Sequence, residues 1–336
     1  MSDNRFPEIV LGTIGSGPIV HSILKGVART GGIRCAAVYS RSETKGRELA
    51  DVFGVKKVYT DLAVMLNDPE INFIYIASPN SLHFEQARLA LLHNKNVLCE
   101  KPLTPGKAQA EELIQLAADR GLLLLDAVPT PYLPNFSILK DQLSRIGRIR
   151  LVLSNYSQYS SRYDNLRQGE LPNIFSLDYA GGCLQDLNFY NIYLNVALFG
   201  EPAGAIYYPN IKPGQADTSG VMMLTYNDFV SSNAAAKDTW GDNFFLIEGE
   251  QGYIRVGGGS SMLGEIHVIT RTADEIFSSQ PDPNRWFYEV QEITRLIRTG
   301  EHDVIKSNMA TTVAVLEVME KARKTAGIFF KGEFDQ

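Results

Sequence analysis

The sequence is poor in the features that mark disulfide-rich, metal-binding and nucleic-acid-binding proteins. It has three cysteines in 336 residues, Cys35, Cys99 and Cys183. They are isolated and odd in number, which favours reduced core thiols over a disulfide framework. No cysteine–histidine spacing suggests a metal site. The net charge is −6, and no run of lysine or arginine supplies the basic patch that nucleic-acid binding needs.

Long apolar runs are also missing. The uninterrupted apolar stretch at residues 122–125 is far too short to span a bilayer. Residues 1–7 are polar and lead directly into an apolar strand pattern, which is not the pattern of a secretory signal. We therefore expect a soluble cytoplasmic protein that binds neither membrane nor nucleic acid.

The first part of the chain alternates short apolar runs with helix patterns. Runs rich in valine, isoleucine and leucine are typical of strands buried on both faces of a parallel sheet. Their alternation with helices predicts a Rossmann-type, doubly wound α/β domain over residues 1–128. The predicted strands lie at 8–15, 34–40, 73–78, 96–101 and 122–128, and the predicted helices at about 17–30, 43–53, 81–94 and 105–120.

The pattern changes at Pro129, where three prolines cluster. Longer and more alternating strand candidates follow, joined by short turns rich in glycine, asparagine and aspartate, which indicates antiparallel pairing. Residues 129–336 are therefore predicted to form an α+β domain with an open, mostly antiparallel sheet. Its predicted strands lie at 148–159, 219–226, 229–236, 243–248, 252–256 and 265–271, and its helices at about 135–145, 184–199, 284–299 and 305–325.

A glycine turn joins the first predicted strand to the first predicted helix. Gly15 permits the tight turn, Gly17 lets the backbone approach a pyrophosphate, and Pro18 fits the first helical turn. The third glycine of this fingerprint is replaced by Val20, which changes helix–strand packing rather than phosphate binding. An ordinary glycine turn is the alternative. The predicted nucleotide-binding residues here are Gly12, Ile14, Gly15, Ser16, Gly17, Pro18 and Ile19.

The end of the second strand bears on the choice between NAD and NADP. An NAD site usually has an acidic residue there for the ribose 2′-hydroxyl, but this chain has Tyr39 and Ser40. Arg41 can meet a 2′-phosphate instead, with Ser40 adding a hydrogen bond. Glu43 could weaken that preference, and Arg41 could simply be a solvated residue at a helix start. The sequence therefore favours NADP over NAD.

The carboxyl ends of the strands predicted at 73–78 and 96–101 are also expected at the cleft where open α/β sheets bind ligands. An ammonium group that ends a buried strand is costly unless it is paired or used. Lys101 could there polarise a substrate oxygen and lower the pKa of a neighbouring acid, although a surface lysine is the alternative. His83 could equally be structural. The predicted cofactor-site residues at these ends are Ser78, Pro79, Asn80, His83, Glu100 and Lys101.

A second constellation follows the glycine pair Gly181-Gly182. If residues 184–199 form a helix, Asp186 and Tyr190 share one face and could flank a substrate hydroxyl. Tyrosine can move that proton only if its pKa of about 10 is lowered, which a nearby lysine would do. The alternative is a polar stripe on a packed helix.

Together these motifs resemble the Gfo/Idh/MocA family of oxidoreductases over nearly the whole chain. The family implies a Rossmann domain, then an α/β domain whose open sheet commonly forms the interface of a homodimer or homotetramer. It also implies hydride transfer between NAD(P) and a carbinol carbon of a sugar, polyol or trans-diol. The resemblance is carried by residues 12–17, Ser40-Arg41, Ser78-Pro79-Asn80 with His83, Glu100-Lys101-Pro102 and residues 181–190.

The resemblance assigns catalytic positions to Lys101, Asp186 and Tyr190. Many members have histidine at the position of Tyr190. With tyrosine there, the chain resembles the branch of the family that contains dihydrodiol and xylose dehydrogenases. In oxidation we expect Tyr190 to take the hydroxyl proton while Lys101 favours the phenolate and holds the substrate oxygen; alternatively, Lys101 is the base. We expect Asp186 to orient the substrate or to relay protons. Candidate substrate contacts are Tyr159, Arg162, Tyr163 and Trp240.

Two rival functions remain open for the sequence. One is a non-catalytic sensor that binds NAD(P) and reports to a protein partner. The other is an aldose–aldose oxidoreductase that keeps its cofactor tightly bound through the catalytic cycle.

Overall fold

The computed structural model describes residues 8–333, so the expectation about a secretory signal at residues 1–7 lies outside the described residues. The chain forms two compact units. Unit 1 contains the chain up to Thr104, Ala108–Tyr132 and Asp282–Ala310, and unit 2 contains Pro105–Lys107, Leu133–Pro281 and the chain from Thr311. The proposed division into functional domains at residues 128/129 stays a prediction.

Unit 1 is built on a six-stranded parallel sheet, which confirms the predicted Rossmann-type fold class. Four of the six strands are buried along their whole length, because helices cover both faces of such a sheet. The third strand was not predicted, because its three half-buried residues form no apolar run. The order β3-β2-β1-β4-β5-β6 comprises β1 (Ile9–Ile14), β2 (Ile33–Tyr39), β3 (Lys57–Tyr59), β4 (Phe73–Ile76), β5 (Asn96–Glu100) and β6 (Leu124–Ala127).

Unit 2 is built on an eight-stranded, mostly antiparallel sheet, as predicted. Among the described strands of this sheet, only the central pair β7 (Ile149–Ser157) and β10 (Val230–Ala236) is parallel. The two edge strands, β8 (Gly204–Asn210) and β14 (Asp274–Phe277), were missed, because Pro209 weakens the strand pattern of the first and two consecutive acids weaken that of the second. The order β14-β13-β12-β11-β7-β10-β9-β8 comprises β7 (Ile149–Ser157), β8 (Gly204–Asn210), β9 (Ser219–Thr225), β10 (Val230–Ala236), β11 (Phe244–Gly249), β12 (Gly252–Gly257), β13 (Ile266–Thr270) and β14 (Asp274–Phe277).

The described α-helices largely follow the predicted pattern. Three short ones were not predicted, namely α3 (Leu62–Leu66), α7 (Ser161–Arg167) and α9 (Gly259–Met262). Among residues 8–333, no helix is both long and apolar enough to cross a membrane. The helices are α1 (Pro18–Val27), α2 (Glu43–Phe53), α3 (Leu62–Leu66), α4 (His83–Leu92), α5 (Lys107–Asp119), α6 (Pro134–Gln142), α7 (Ser161–Arg167), α8 (Phe189–Phe199), α9 (Gly259–Met262), α10 (Arg285–Thr299) and α11 (His302–Thr325).

One late helix belongs to unit 1. Val290, Ile293 and Ile297 of α10 join the core of unit 1, together with Ile23 and Val27 of α1. A side chain at Gly26 would lie 3.1 Å from the Trp286 carbonyl oxygen, so glycine favours the close approach of the two helices. Apolar periodicity predicts that α10 is amphipathic, but not which sheet it covers.

The helix predicted at 184–199 is not continuous. Its first part, Leu184–Asn188, is a π-helical turn, and the α-helix begins only at Phe189. Single π-helical turns occur frequently at functional sites. Asp186 and Tyr190 thus lie on one helical segment, as predicted, and their sharing of one face stays a prediction.

Candidate active site

Two adjacent strand ends form the switch point of the parallel sheet. The sheet order turns between β1 and β4, and open α/β sheets bind their ligands in the crevice at this point. Gly15 follows β1 with φ +115°, and a side chain there would lie 2.6 Å from the Ala77 carbonyl oxygen. Only glycine fits this turn.

The second glycine has a different environment. Gly17 precedes α1 with φ −79°, and a side chain there would meet nothing within 4 Å. Pro18 is the first residue of α1, as predicted from its fixed φ. The space above Gly17 is open to an anion at the helix N-terminus, and no internal packing accounts for a glycine at this position.

The remaining residues of the turn divide into buried and half-buried positions. Gly12 and Ile14 lie within β1 and are buried. A side chain at Gly12 would meet Ile71 at 3.1 Å, so this glycine makes room for packing below the turn. Ser16 and Ile19 are half-buried beside Gly17. Their contribution to nucleotide binding stays a prediction.

The end of β2 presents a polar pair. Ser40 is buried, its amide donates to the Tyr59 carbonyl over 3.0 Å, and its hydroxyl accepts from the Ser42 amide over 3.3 Å. Arg41 is exposed, and Ser42 caps α2. The segment thus fixes Ser40 and leaves the guanidinium of Arg41 accessible to an anion.

His83 connects the ends of β4 and β5. The ring is fully buried, with Nδ1 2.9 Å from the Pro102 carbonyl and Nε2 2.9 Å from the Ser78 carbonyl. Burial lowers the pKa of His83, which favours the neutral ring. The hydroxyl of Ser78 donates to Gln86 over 2.7 Å. In this arrangement His83 orders the two loops, whereas Pro79 and Asn80 are half-buried in the loop after β4.

Lys101 lies at the end of β5, next to a buried acid. Lys101 is half-buried, and Glu100 accepts a 2.6 Å hydrogen bond from the Tyr75 hydroxyl. Burial raises the pKa of Glu100 to about 7, although Lys101 and Arg285 oppose the shift. Burial also raises the pKa of Glu289 far above its usual range, with the charge of Glu100 adding to the effect. Lys101 therefore follows a buried carboxyl group, that of Glu100, which resists ionisation.

In unit 2 a buried carboxylate holds the start of the helical segment. Asp217 accepts from the Leu184 amide over 2.7 Å and from the Tyr207 hydroxyl over 2.6 Å. Burial raises the pKa of Asp217 to about 6. A side chain at Gly182, where φ is +123°, would lie 2.2 Å from this carboxylate. Gly182 is needed because Asp217 approaches the backbone so closely.

Asp186 forms an ion pair with a lysine that sequence reasoning missed. Nζ of Lys237 donates to Oδ2 of Asp186. The lysine side chain is 7% exposed, whereas the aspartate side chain is 43% exposed. Lys237 directly follows β10, so the rule that singled out Lys101, a lysine at a strand's carboxyl end, could have found it.

Tyr190 is buried and packs among aromatic rings. It is 2% exposed and meets Tyr156 edge-on, with the ring centroids 5.9 Å apart. Cys183, Leu187 and Ala235 complete this cluster. Unit 2 thus places Asp186 toward solvent and Tyr190 in an apolar cluster beside β7 and β10.

The candidate substrate residues lie around the carboxyl ends of β7 and β10. Tyr159 stacks on Trp240 with a centroid distance of 5.7 Å and an interplanar angle of 6°. Tyr163 meets Tyr159 edge-on at 6.0 Å. Arg162 is exposed on α7 and lines a cavity of about 420 Å³ together with Asn165, Glu170 and neighbouring residues. Within residues 8–333, no cluster of three or more potential ligands could hold a metal ion.

Comparison with known proteins places the chain among oxidoreductases. Residues 9–126 match the model of the Gfo/Idh/MocA oxidoreductase family, described as having an NAD-binding Rossmann fold. The chain is 33% identical to the scyllo-inositol 2-dehydrogenase (NADP(+)) IolU of Bacillus subtilis, over 95% of this chain and 98% of that protein. It is 32% identical to the uncharacterised oxidoreductase YgjR of Escherichia coli, over 95% and 97%.

A solved structure shows the same fold. The 3-ketoreductase KijD10 of Actinomadura kijaniata, in complex with NADP and TDP-benzene, superposes with a TM-score of 0.83. The match covers 94% of this chain and 97% of that chain at 22% identity.

Proposed function

The chain belongs to the Gfo/Idh/MocA family of oxidoreductases, and on that premise we propose that it transfers a hydride between NADP and a secondary alcohol or hemiacetal carbon of a sugar, polyol or related diol. One observation carries this proposal. The glycine turn after β1 and Lys101 after β5 lie at the same carboxyl edge of one parallel sheet. The relative named as a scyllo-inositol 2-dehydrogenase supports the substrate class.

The residues at the turn fit the phosphates of a dinucleotide. A side chain at Gly17 would occupy the open space above the turn and meet no protein atom, so the glycine serves an approaching ligand. Gly15, Ser16, Pro18 and Ile19 complete this cradle. Ser78, Pro79 and Asn80 border the crevice from β4, while Gly12, Ile14 and His83 support it from within the unit.

Preference for NADP is proposed from Arg41. Its guanidinium is accessible beside the fixed hydroxyl of Ser40, and no acidic residue ends β2. An exposed guanidinium suits a 2′-phosphate. The ratio of kcat/KM with NADP to that with NAD tests this proposal. We expect Arg41→Ala to lower the ratio at least tenfold, and an unchanged ratio would show that another group selects the cofactor.

Bound NADP, held at the glycine turn after β1, would supply the hydride acceptor for oxidation of the carbinol carbon, and a group of the protein must then take the hydroxyl proton. Lys101 holds the substrate oxygen through its ammonium group. Tyr190 receives the proton, with Lys101 as the alternative base, and Asp186 orients the substrate. Lys237 keeps the carboxylate of Asp186 in one position through their ion pair.

Two substitutions test these roles. We expect Lys101→Met and Tyr190→Phe each to lower kcat about 10²- to 10⁴-fold, since proton transfer and charge stabilisation are worth that much. NADPH binding, followed by fluorescence, should persist in both variants. Lys25→Met on α1 and Tyr193→Phe on α8 are the matched controls. Near-wild-type turnover in both test variants would contradict the assignment, and binding without turnover in the wild type would favour an NAD(P) sensor.

We also propose that the open face of the unit 2 sheet pairs with a second copy of the chain. The strand registers place Ile206, Tyr208, Val230, Tyr253 and Ile276 on one face, and all five are exposed. An apolar face of this kind marks an interaction site. Sedimentation velocity should show a dimer or tetramer that Tyr208→Glu dissociates, whereas Val52→Glu on α2 should leave it intact.

A further inference from the structure

An exposed aromatic stack lies beyond the carboxyl ends of β7 and β10. The parallel pairing of these strands continues past their ends, because the Gln158 amide donates to the Ala236 carbonyl over 2.8 Å. The Ser160 amide likewise donates to the Lys237 carbonyl over 2.9 Å. Tyr159 and Trp240 follow these two segments and stack almost parallel, at an angle of 6°.

The inner ring of the stack is held in place. The hydroxyl of Tyr159 donates to Oδ1 of Asp164 over 2.6 Å. Tyr163 supports the ring edge-on at an angle of 88°, and Tyr163 itself packs against the fully buried Phe175. Tyr159 is thus a rigid support whose orientation is fixed by a hydrogen bond and by a chain of aromatic contacts into the core.

The outer ring remains open to solvent. Trp240 is 79% exposed, although indole is among the most apolar side chains. The stack on Tyr159 is offset, with the ring centroids 5.7 Å apart, so it supports one side of the indole and leaves most of the ring available. A large apolar ring that is supported from behind and exposed in front is typical of a ligand-binding surface.

The position of the stack connects it to the candidate active site. Trp240 lies three residues after Lys237, whose ammonium group pairs with Asp186. Three residues span at most about 11 Å between Cα atoms. A ligand whose reacting group lies at this ion pair can therefore reach the indole with a second ring.

The chemistry of the stack selects the kind of ring. A pyranose has a face of C–H groups and a rim of hydroxyls, so it can lie flat on the negative face of an indole. Polar groups for the rim are close in the sequence and exposed or half-buried, namely Arg162, Asp238 and Thr239. We propose that Tyr159 and Trp240 form a platform for a second sugar ring, which makes the substrate a glycoside or disaccharide rather than a free monosaccharide. The identity of the reacting ring rests on the proposed function.

The chain offers a direct spectroscopic test. It has two tryptophans, Trp240 and Trp286, so Trp286→Phe leaves Trp240 as the single indole. We expect cellobiose, maltose and lactose to shift the emission of Trp240 to the blue and to protect it from quenching by acrylamide, because a bound sugar excludes water and the quencher from the indole. The experiment needs neither cofactor nor turnover. No shift with any of these disaccharides, at concentrations that would register millimolar binding, would overturn the platform.

Kinetics supply the second test. We expect Trp240→Ala to raise KM about tenfold for the disaccharide or glycoside that is turned over, a change of about 1.4 kcal/mol. The KM for the corresponding monosaccharide should change less than twofold, and Tyr179→Ala, an aromatic truncation elsewhere on unit 2, should change neither. Equal effects on both substrates would contradict the proposal.

Two other outcomes distinguish the sugar platform from the proposed function and from an interface with a second copy of the chain. An emission shift with disaccharides in a protein that shows no dehydrogenase activity would refute the proposed function and retain the platform. An emission shift that depends on protein concentration, with no response to sugar, would mean that a second copy covers Trp240 and would overturn the platform.

Discussion

The ion pair between Asp186 and Lys237 predicts unequal costs for removing its two members. Lys237 is buried and Asp186 is half-exposed. Asp186→Asn leaves a buried ammonium group facing a neutral amide, whereas Lys237→Met leaves a carboxylate that water can reach. Breaking a fully buried pair costs about 3–5 kcal/mol, and an exposed pair contributes about 0–1 kcal/mol. We therefore expect Asp186→Asn to cost about 2–3 kcal/mol and Lys237→Met less than about 1 kcal/mol.

Urea unfolding measures this difference, as a change of midpoint at constant slope. In thermal unfolding, about 2–4 °C per kcal/mol for a unit of 150–250 residues gives a drop of about 4–12 °C for Asp186→Asn. Asp228→Asn, which breaks the exposed pair with Arg148, is the control and should cost less than about 0.5 kcal/mol. Equal losses for the two test variants, or the reverse order, would refute the argument from burial. Both test variants should lower kcat, because the pair orients the substrate.

Three further predictions concern the glycine turn and the buried acids. Gly15→Ala should lower both the melting temperature and the affinity for NADPH, because the new side chain would collide with the backbone at Ala77. Gly17→Ala should keep the melting temperature and lose NADPH affinity in a fluorescence titration. Equal melting temperatures for the two variants would contradict this prediction. The pKa of Glu100 is raised from 4.5 to about 7, so its contribution to stability is complete below pH 4.5 and is lost as the pH rises to 7. Glu100→Gln should therefore remove about 3 kcal/mol from the pH dependence of the unfolding free energy, measured with urea at a series of pH values. If the pH dependence is unchanged in this variant, it belongs to another group. Asp217→Asn should lower the unfolding free energy by about 1–3 kcal/mol, because it leaves the buried donors of Leu184 and Tyr207 poorly paired. Tyr207→Phe should lower it less, since it removes a single donor. A larger loss of stability for Tyr207→Phe in calorimetry would contradict this prediction.

Much of the nucleotide-binding unit could be predicted from the sequence, because its signals are local. The short apolar runs of β1, β4 and β5 predict strands that are buried on both faces of a parallel sheet, whichever strands they pair with. The glycine at position 15 is required by a turn only a few residues long. Short polar edge strands such as β14 carry no such signal, and the pairing with a neighbouring strand decides their conformation.

The candidate site shows the same division. The sequence by itself determined that Lys101 ends a buried strand and that Asp186 and Tyr190 lie on one helical segment after a glycine pair. Only the tertiary structure decided that Lys237, 51 residues from Asp186, forms the ion pair with it. It also decided that Tyr190 is buried beside Tyr156, and that α10 covers the nucleotide-binding unit. The physical reason is that backbone sterics and periodicity act over one or two turns, whereas these contacts depend on the register of β7 against β10 and on the packing of α10 onto α1.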